Sequence, residues 1–255
     1  MTEFTRKQSA STQKKSGGFA EVVRTLLYAV IIAVGFRTFA YEPFNIPSSS
    51  MVPTLLVGDY LFVSKFTYGY SKYTVGLGLP LFDGRILGSE PERGDVAVFK
   101  QPRDNRTDYI KRIVGMPGDR IQVTDGILHI NGEPVQRERV EEEVAPDEYG
   151  RLVRATVYRE TLPNGREHLI REISDAGPYD NTREFVVPER HYFMMGDNRD
   201  NSADSREFST VGYVPEENLV GRAEFLFLSL DDARIWEIWK WPFALRFSRL
   251  LDGVV

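Results

Sequence analysis

The sequence predicts a mainly β protein with one apolar helical segment near its N-terminus. Three observations predict it. One uncharged apolar run lies between residues 25 and 36, short runs of β-branched and aromatic residues follow Tyr41, and turn-forming Gly, Pro, Asp and Asn separate those runs. The chain has 255 residues, 42% of them hydrophobic and 27% charged, enough for one large domain or two small ones around a packed core. A net charge of −5 argues against nucleic acid as a partner. There is no cysteine, which excludes disulfides, thiolate catalysis and cysteine-ligated zinc. Only His129, His168 and His191 are available for imidazole chemistry.

Residues 1–19 form a basic tail rich in Ser, Thr, Gly and Lys, with too few large apolar residues to fold. Up to Arg24, Arg6, Lys7, Lys14, Lys15 and Arg24 stand against Glu3 and Glu21. The run Thr25–Phe36 (TLLYAVIIAVGF) follows. Twelve helical residues span about 18 Å, less than the ~30 Å hydrocarbon core. If Arg24 and Arg37 extend outward, the usable span grows to residues 20–40, enough for one membrane crossing. Two other readings fit the run alone: a cleaved secretory signal with small residues at Ala33 and Gly35, or a buried core helix. The first two place the basic end inside and the chain after residue 41 outside the cytoplasmic membrane.

Beyond Tyr41 the helical period disappears. DYLFVSKF (59–66), GDVAVFK (94–100), DYIKRIVG (108–115) and GDRIQVT (118–124) read as strands. ILHI lies between the tight-turn pairs Asp125-Gly126 and Asn131-Gly132. RLVRATVYRE (151–160) and REHLIREI (166–173) flank Pro163-Asn164-Gly165, and their alternation predicts a two-stranded ribbon with one wet face. The stretch 121–187 is more charged and richer in turns than its flanks, and is expected to be an inserted subdomain between 41–120 and 188–255. The chain end, with Trp236, Trp239 and Trp241 among Lys240, Arg246 and Arg249, suits either a bilayer interface or a short terminal helix interrupted by Pro242.

Two places carry candidate chemistry. Pro47-Ser48-Ser49-Ser50-Met51-Val52-Pro53-Thr54 is a stiff turn of hydroxyls, which could equally be a linker. Lys111 sits mid-strand among apolar neighbours, where burial would lower its pKa and free a general base near pH 7, although strand lysines more often keep an edge soluble. A serine near such an amine makes a nucleophile–base pair without histidine. Other motifs fail. Numbered from Asp197, a calcium loop would have Ser202 where glycine is required and Phe208 where the bidentate acid is required. Gly76-Leu77-Gly78 lacks a third glycine, and there is neither a phosphate-binding loop nor a Gly-x-Ser-x-Gly elbow.

Four segments occur in a recognisable order: Pro47-Ser48-Ser49-Ser50-Met51-x-Pro53-Thr54-Leu55 with Gly58-Asp59; Arg93-Gly94-Asp95-Val96; Tyr109-Ile110-Lys111-Arg112-x-Val114-Gly115-x-Pro117-Gly118-Asp119; and Gly196-Asp197-Asn198-Arg199-Asp200-Asn201-Ser202-x-Asp204-Ser205-Arg206. Together they resemble the successive boxes of bacterial type I signal peptidase (leader peptidase), over residues 41 to about 230. The resemblance implies Ser50 as nucleophile and Lys111 as general base. It implies Ser48 as a hydroxyl joining the Ser50 amide in the oxyanion hole, and Ser202 as the residue orienting the lysine. Asp204 and Arg206 are implied as structural residues near the site, with Arg199 in the same box. Ser49 departs from the family's usual glycine, the single membrane segment from relatives with two, and the absence of cysteine from relatives that carry it.

The resemblance further implies a retained anchor and an antiparallel β-sheet catalytic domain on the outer, periplasmic side of the bacterial cytoplasmic membrane. Residues 61–82 would form an apolar β extension into the lipid interface. The expected partners are preprotein signal peptides, cut after a small-x-small motif, and the phospholipid membrane. No metal, cofactor or oligomeric state is implied. Two rival readings are a self-cleaving Ser–Lys repressor, whose DNA-binding helical domain has no counterpart before Ser50, and a non-catalytic membrane-tethered β-domain.

Overall fold

The computed structural model describes residues 18–74, 84–146 and 151–255. The tail expected to be unfolded lies outside the described residues up to residue 17, as does the VGLGLPLF stretch of the expected lipid-facing extension. The chain divides into an N-terminal unit ending at Phe36 and a second unit, Arg37–Val255. The helix Phe19–Phe39 buries none of its residues and reaches a mean hydropathy of 1.9. Its 21 residues give about 31 Å, so it is long and apolar enough to cross a membrane.

Among the described residues of the second unit, a seven-stranded antiparallel sheet runs in the order Tyr41–Asn45, Asp59–Ser64, Leu219–Ser229, Val96–Lys100, Asp108–Gly115, His191–Met195, Val214–Pro215. A four-stranded sheet, Phe185–Val186, Arg120–Thr124, Ile127–Ile130, Glu133–Pro134, shares a core with it. Val114, Phe193 and Met195 of the first sheet pack in one cluster with Ile121, Leu128, Ile130 and Phe185 of the second. Asp125-Gly126 (φ +49° and +73°) and Asn131-Gly132 (+57° and +88°) are left-handed at both central positions, as two-residue hairpin turns demand. Another cluster buries Met51 and Leu55 against Leu61, Val63, Val96 and Val220.

Three expectations are corrected. LFVSKF does not leave the body as an extension: Asp59–Ser64 pairs on both sides, and Leu61 and Val63 are fully buried. The ribbon has three strands, because Gln136–Pro146 pairs with Leu152–Thr161, which pairs in turn with Glu167–Glu172. The extra strand is an exposed edge whose charges blunt further pairing, so it lacks the alternation that marks a half-buried strand. Nor is the ribbon's charged face uniformly wet. Glu160, His168, Arg171 and Glu172 are buried, covered where the 196–206 loop brings Arg199 against Glu160. At the chain end, Trp241–Ala244 forms a single helical turn, while Trp236, Trp239 and Phe243 stay exposed.

Candidate active site

The turn after Pro47 is pinned from below by Met51, which is fully buried in the core. Its neighbour Ser50 is thereby held at the surface of that core, 8% exposed. From the strand Asp108–Gly115, Lys111 reaches the same point: its Nζ donates to Ser50 Oγ at 2.6 Å and to the Ile110 carbonyl at 3.0 Å. The amine is almost wholly removed from water. Burial pushes its pKa down to about 8, against the pull of the Asp204 and Asp197 carboxylates, which favour its charged form. Ser48 Oγ stands 3.4 Å from Ser50 Oγ. At that pKa an appreciable fraction of the amine is unprotonated near neutrality and can take the hydroxyl proton.

The 196–206 loop lies against this pair. The Asn198 amide donates to the Ser50 carbonyl at 3.1 Å, and its side chain donates to the Ser49 carbonyl at 3.0 Å. Asn201 Nδ2 donates to Ser49 Oγ at 2.9 Å, so the hydroxyl at this position is used. The approach requires Gly196, where a Cβ would sit 2.2 Å from Ser202 Oγ and 2.5 Å from the Ser50 carbonyl oxygen. Beneath, Arg206 forks onto Asp204 at 2.9 and 2.8 Å, and the Gly196 amide donates to Asp204 at 3.0 Å. Burial alone would raise Asp204, but Arg206 outweighs it and keeps the carboxylate below its usual range. Arg112 forks onto Asp197 at 2.8 and 2.7 Å in a second buried pair, to which Thr54 Oγ1 donates at 2.5 Å. Among the described residues, no three His, Asp or Glu side chains converge as a metal site.

The family model for signal peptidase, peptidase S26, matches residues 19–228. The chain belongs to the S26 signal peptidase family. Signal peptidase I of Rickettsia felis is 38% identical over 236 residues, covering 89% of this chain and 84% of the relative. That of Rickettsia canadensis is 42% identical over 219 residues, covering 82% and 80%. A crystal structure of a signal peptidase I from Enterococcus faecalis is 23% identical with a TM-score of 0.32, covering 52% of this chain and 97% of that one.

In this S26 peptidase, Ser48, Ser50, Lys111 and Ser202 line one hollow, and Asp204 and Arg206 form the ion pair next to it. Ser202 is close enough to Asp204 to help hold that carboxylate ionised, but its buried hydroxyl completes no well-aligned hydrogen bond. The second partner of the lysine amine is the Ile110 carbonyl. Sequence reasoning gave no role to Asn198, Asn201 or the Arg112–Asp197 pair, although all four lie in the boxes quoted above. Glu160 went unnoticed altogether, for it is an acidic residue in an alternating strand, 39 positions from the arginine it holds.

Proposed function

We propose that this S26 peptidase removes signal peptides from exported preproteins, with Ser50 as nucleophile and Lys111 as general base. The observation that carries the reading is the 2.6 Å approach of Lys111 Nζ to Ser50 Oγ by an amine that burial holds near pKa 8. In its neutral form the amine accepts the Ser50 hydroxyl proton as Oγ attacks the scissile carbonyl carbon. The oxyanion is held by the Ser50 backbone N–H and the Ser48 hydroxyl. The lysine ammonium then protonates the leaving nitrogen, the C–N bond breaks, and the signal peptide remains as an ester on Ser50. Water, deprotonated by the same amine, hydrolyses the ester and frees the carboxylate. Ser202, whose hydroxyl makes no hydrogen bond to Lys111 in this structure, is assigned to orient the amine once substrate is bound, and Asp204 and Arg206 to support the loop that carries Ser202.

An apolar hollow of about 470 Å³, walled by Phe44, Ile46, Val98 and Ile110, adjoins the pair and suits the small side chains of a small-x-small motif. Residues 1–19 form a cytoplasmic tail and 20–40 the anchor in the phospholipid bilayer. Residues 41–120 and 188–255 form the catalytic β domain on the outer, periplasmic face of the cytoplasmic membrane, with 121–187 as its insertion. The basic residues before the helix support this orientation. Nucleic acid has no part in the activity.

The test is cleavage of a preprotein by the detergent-solubilised protein beside its Ser50→Ala and Lys111→Met variants. Both variants lose cleavage by several orders of magnitude, since members of one catalytic unit do not act independently. Normal cutting by either would remove the role given to that residue.

A further inference from the structure

Residues 251–255 run along the flank of Leu219–Ser229 that Val96–Lys100 leaves open beyond Arg222. Leu251 N–H donates to the Leu226 carbonyl (2.9 Å), Leu226 N–H to the Asp252 carbonyl (2.9 Å) and Val254 N–H to the Glu224 carbonyl (2.8 Å). This path carries Val255 to Arg112, whose Nη2 donates to its main-chain oxygen at 2.9 Å. Just upstream, Arg249 Nη2 donates to the Thr54 carbonyl at 2.9 Å, and the same guanidinium forks onto Asp59 at 2.6 and 3.3 Å. Arg112 and Thr54 in turn both bind Asp197. We propose that residues 249–255 are a positioning strap for the Ser50–Lys111 pair, with the Val255 main-chain oxygen as its catch on Arg112. The inference rests on the Ser50–Lys111 reading and adds to it a segment that lines neither the serine-lined hollow nor the apolar one.

Three features support it. Arg112 is fully buried, and a guanidinium there must find acceptors for its N–H groups. Nε and Nη2 each give a hydrogen to Asp197, and Nη1 donates to the Gly94 carbonyl at 2.8 Å. Without Val255, the second Nη2 hydrogen has only Thr54 Oγ1, at 3.4 Å. The Val255 side chain stays exposed, so what this residue brings to the interior is its oxygen. Val254 packs against the core cluster that holds Met51, the residue after Ser50. The strap therefore bears on Ser50 through Met51, and on Lys111 through its strand neighbour Arg112. The charged groups facing the amine are Asp204, Asp197 and Arg206. Arg112 partly cancels the Asp197 charge, so loosening Arg112 strengthens the hold of Asp197 on the Lys111 proton.

The experiment compares the full chain in detergent with three variants: deletion of Val255, Val255→Ala and Arg249→Gln. The readouts are kcat, KM and the pH inflection of kcat/KM on one preprotein, with thermal unfolding followed beside them. Deletion of Val255 lowers kcat roughly tenfold and leaves KM within about twofold, since the reacting groups shift by a fraction of an ångström. It also moves the inflection upward from about 8, by roughly half a unit. Val255→Ala keeps the oxygen and most of the activity. Arg249→Gln frees Thr54 and moves kcat and the inflection in the same directions as the deletion. A deletion variant with wild-type kcat and inflection, whatever its unfolding temperature, would overturn the strap, as would an equal loss in Val255→Ala. If the deletion variant does not fold, Arg249→Gln decides alone, and an unchanged kcat and inflection there overturn the proposal. Failure of the wild type to cut the preprotein would overturn the Ser50–Lys111 reading, and the strap with it.

Discussion

Arg199 and Glu160 close a two-bond fork inside the protein, Nη1 to Oε2 at 2.9 Å and Nη2 to Oε1 at 2.5 Å, with both side chains 2% exposed. Arg199 belongs to the loop whose Asn198 grips the Ser49–Ser50 backbone, and Glu160 belongs to the ribbon. Main-chain bonds parallel the fork: Arg171 N–H to the Asp197 carbonyl at 2.8 Å, and Arg199 N–H to the Arg171 carbonyl at 2.9 Å. The ribbon therefore buttresses the loop that sits on the Ser48–Ser50 turn.

Glu160→Ala leaves a buried, uncompensated guanidinium and is expected to cost about 3–5 kcal/mol, measured by denaturant unfolding at pH 7. Burial would raise the Glu160 pKa, but Arg199 outweighs it and the carboxyl is lowered. The pair's contribution is thus present above the unfolded carboxylate pKa of about 4.3 and lost as pH falls towards the folded value. The stability gap between wild type and Glu160→Gln should narrow in acid.

The pH dependence of kcat/KM follows from the amine. With Lys111 lowered to about 8, activity rises with pH and levels off above that point, because only the neutral form accepts a proton. Asp204 raises this pKa, so Asp204→Asn moves the inflection to lower pH. A profile flat from pH 5 to 9 would contradict a lysine base.

Burying the amine costs stability. A shift of about two units corresponds to roughly 3 kcal/mol as an order of magnitude, felt in full below pH 8 and fading by about pH 10.4, where the unfolded lysine also deprotonates. Lys111→Met should therefore unfold at a higher temperature than the wild type at pH 7 while cutting nothing. Calorimetry at pH 7 and pH 10 checks both the gain and its disappearance.

Gly196→Ala puts a methyl 2.5 Å from the Ser50 carbonyl oxygen, which is backbone and cannot swing aside. With Ser50 as the proposed nucleophile, its displacement by a fraction of an ångström to about 1 Å is expected to lower kcat on the order of a hundredfold, with the circular dichroism spectrum unchanged.

The strands from 94 to 130 were readable because β-branched alternation and turn pairs coincide there. Gln136–Pro146 was not, since its residues up to Val144 are mostly exposed on both faces and offer no hydrophobic period to detect. Ser50 and Lys111 stand out through the boxes they occupy. The fork between Arg199 and Glu160 left no local trace: neither residue type nor spacing announces a pair joined only by tertiary structure. LFVSKF misled because a strand flanked on both sides and a strand dipping into lipid share the same apolar composition.

A lysine of lowered pKa beside a serine has a consequence for inhibition. Most lysines are inert to mild acylating agents at neutral pH because they keep their charge, whereas the lowered pKa of Lys111 leaves a larger share of it neutral. An electrophile small enough to enter from the Ser48 side meets a hydroxyl and an amine 2.6 Å apart, a spacing one warhead can bridge.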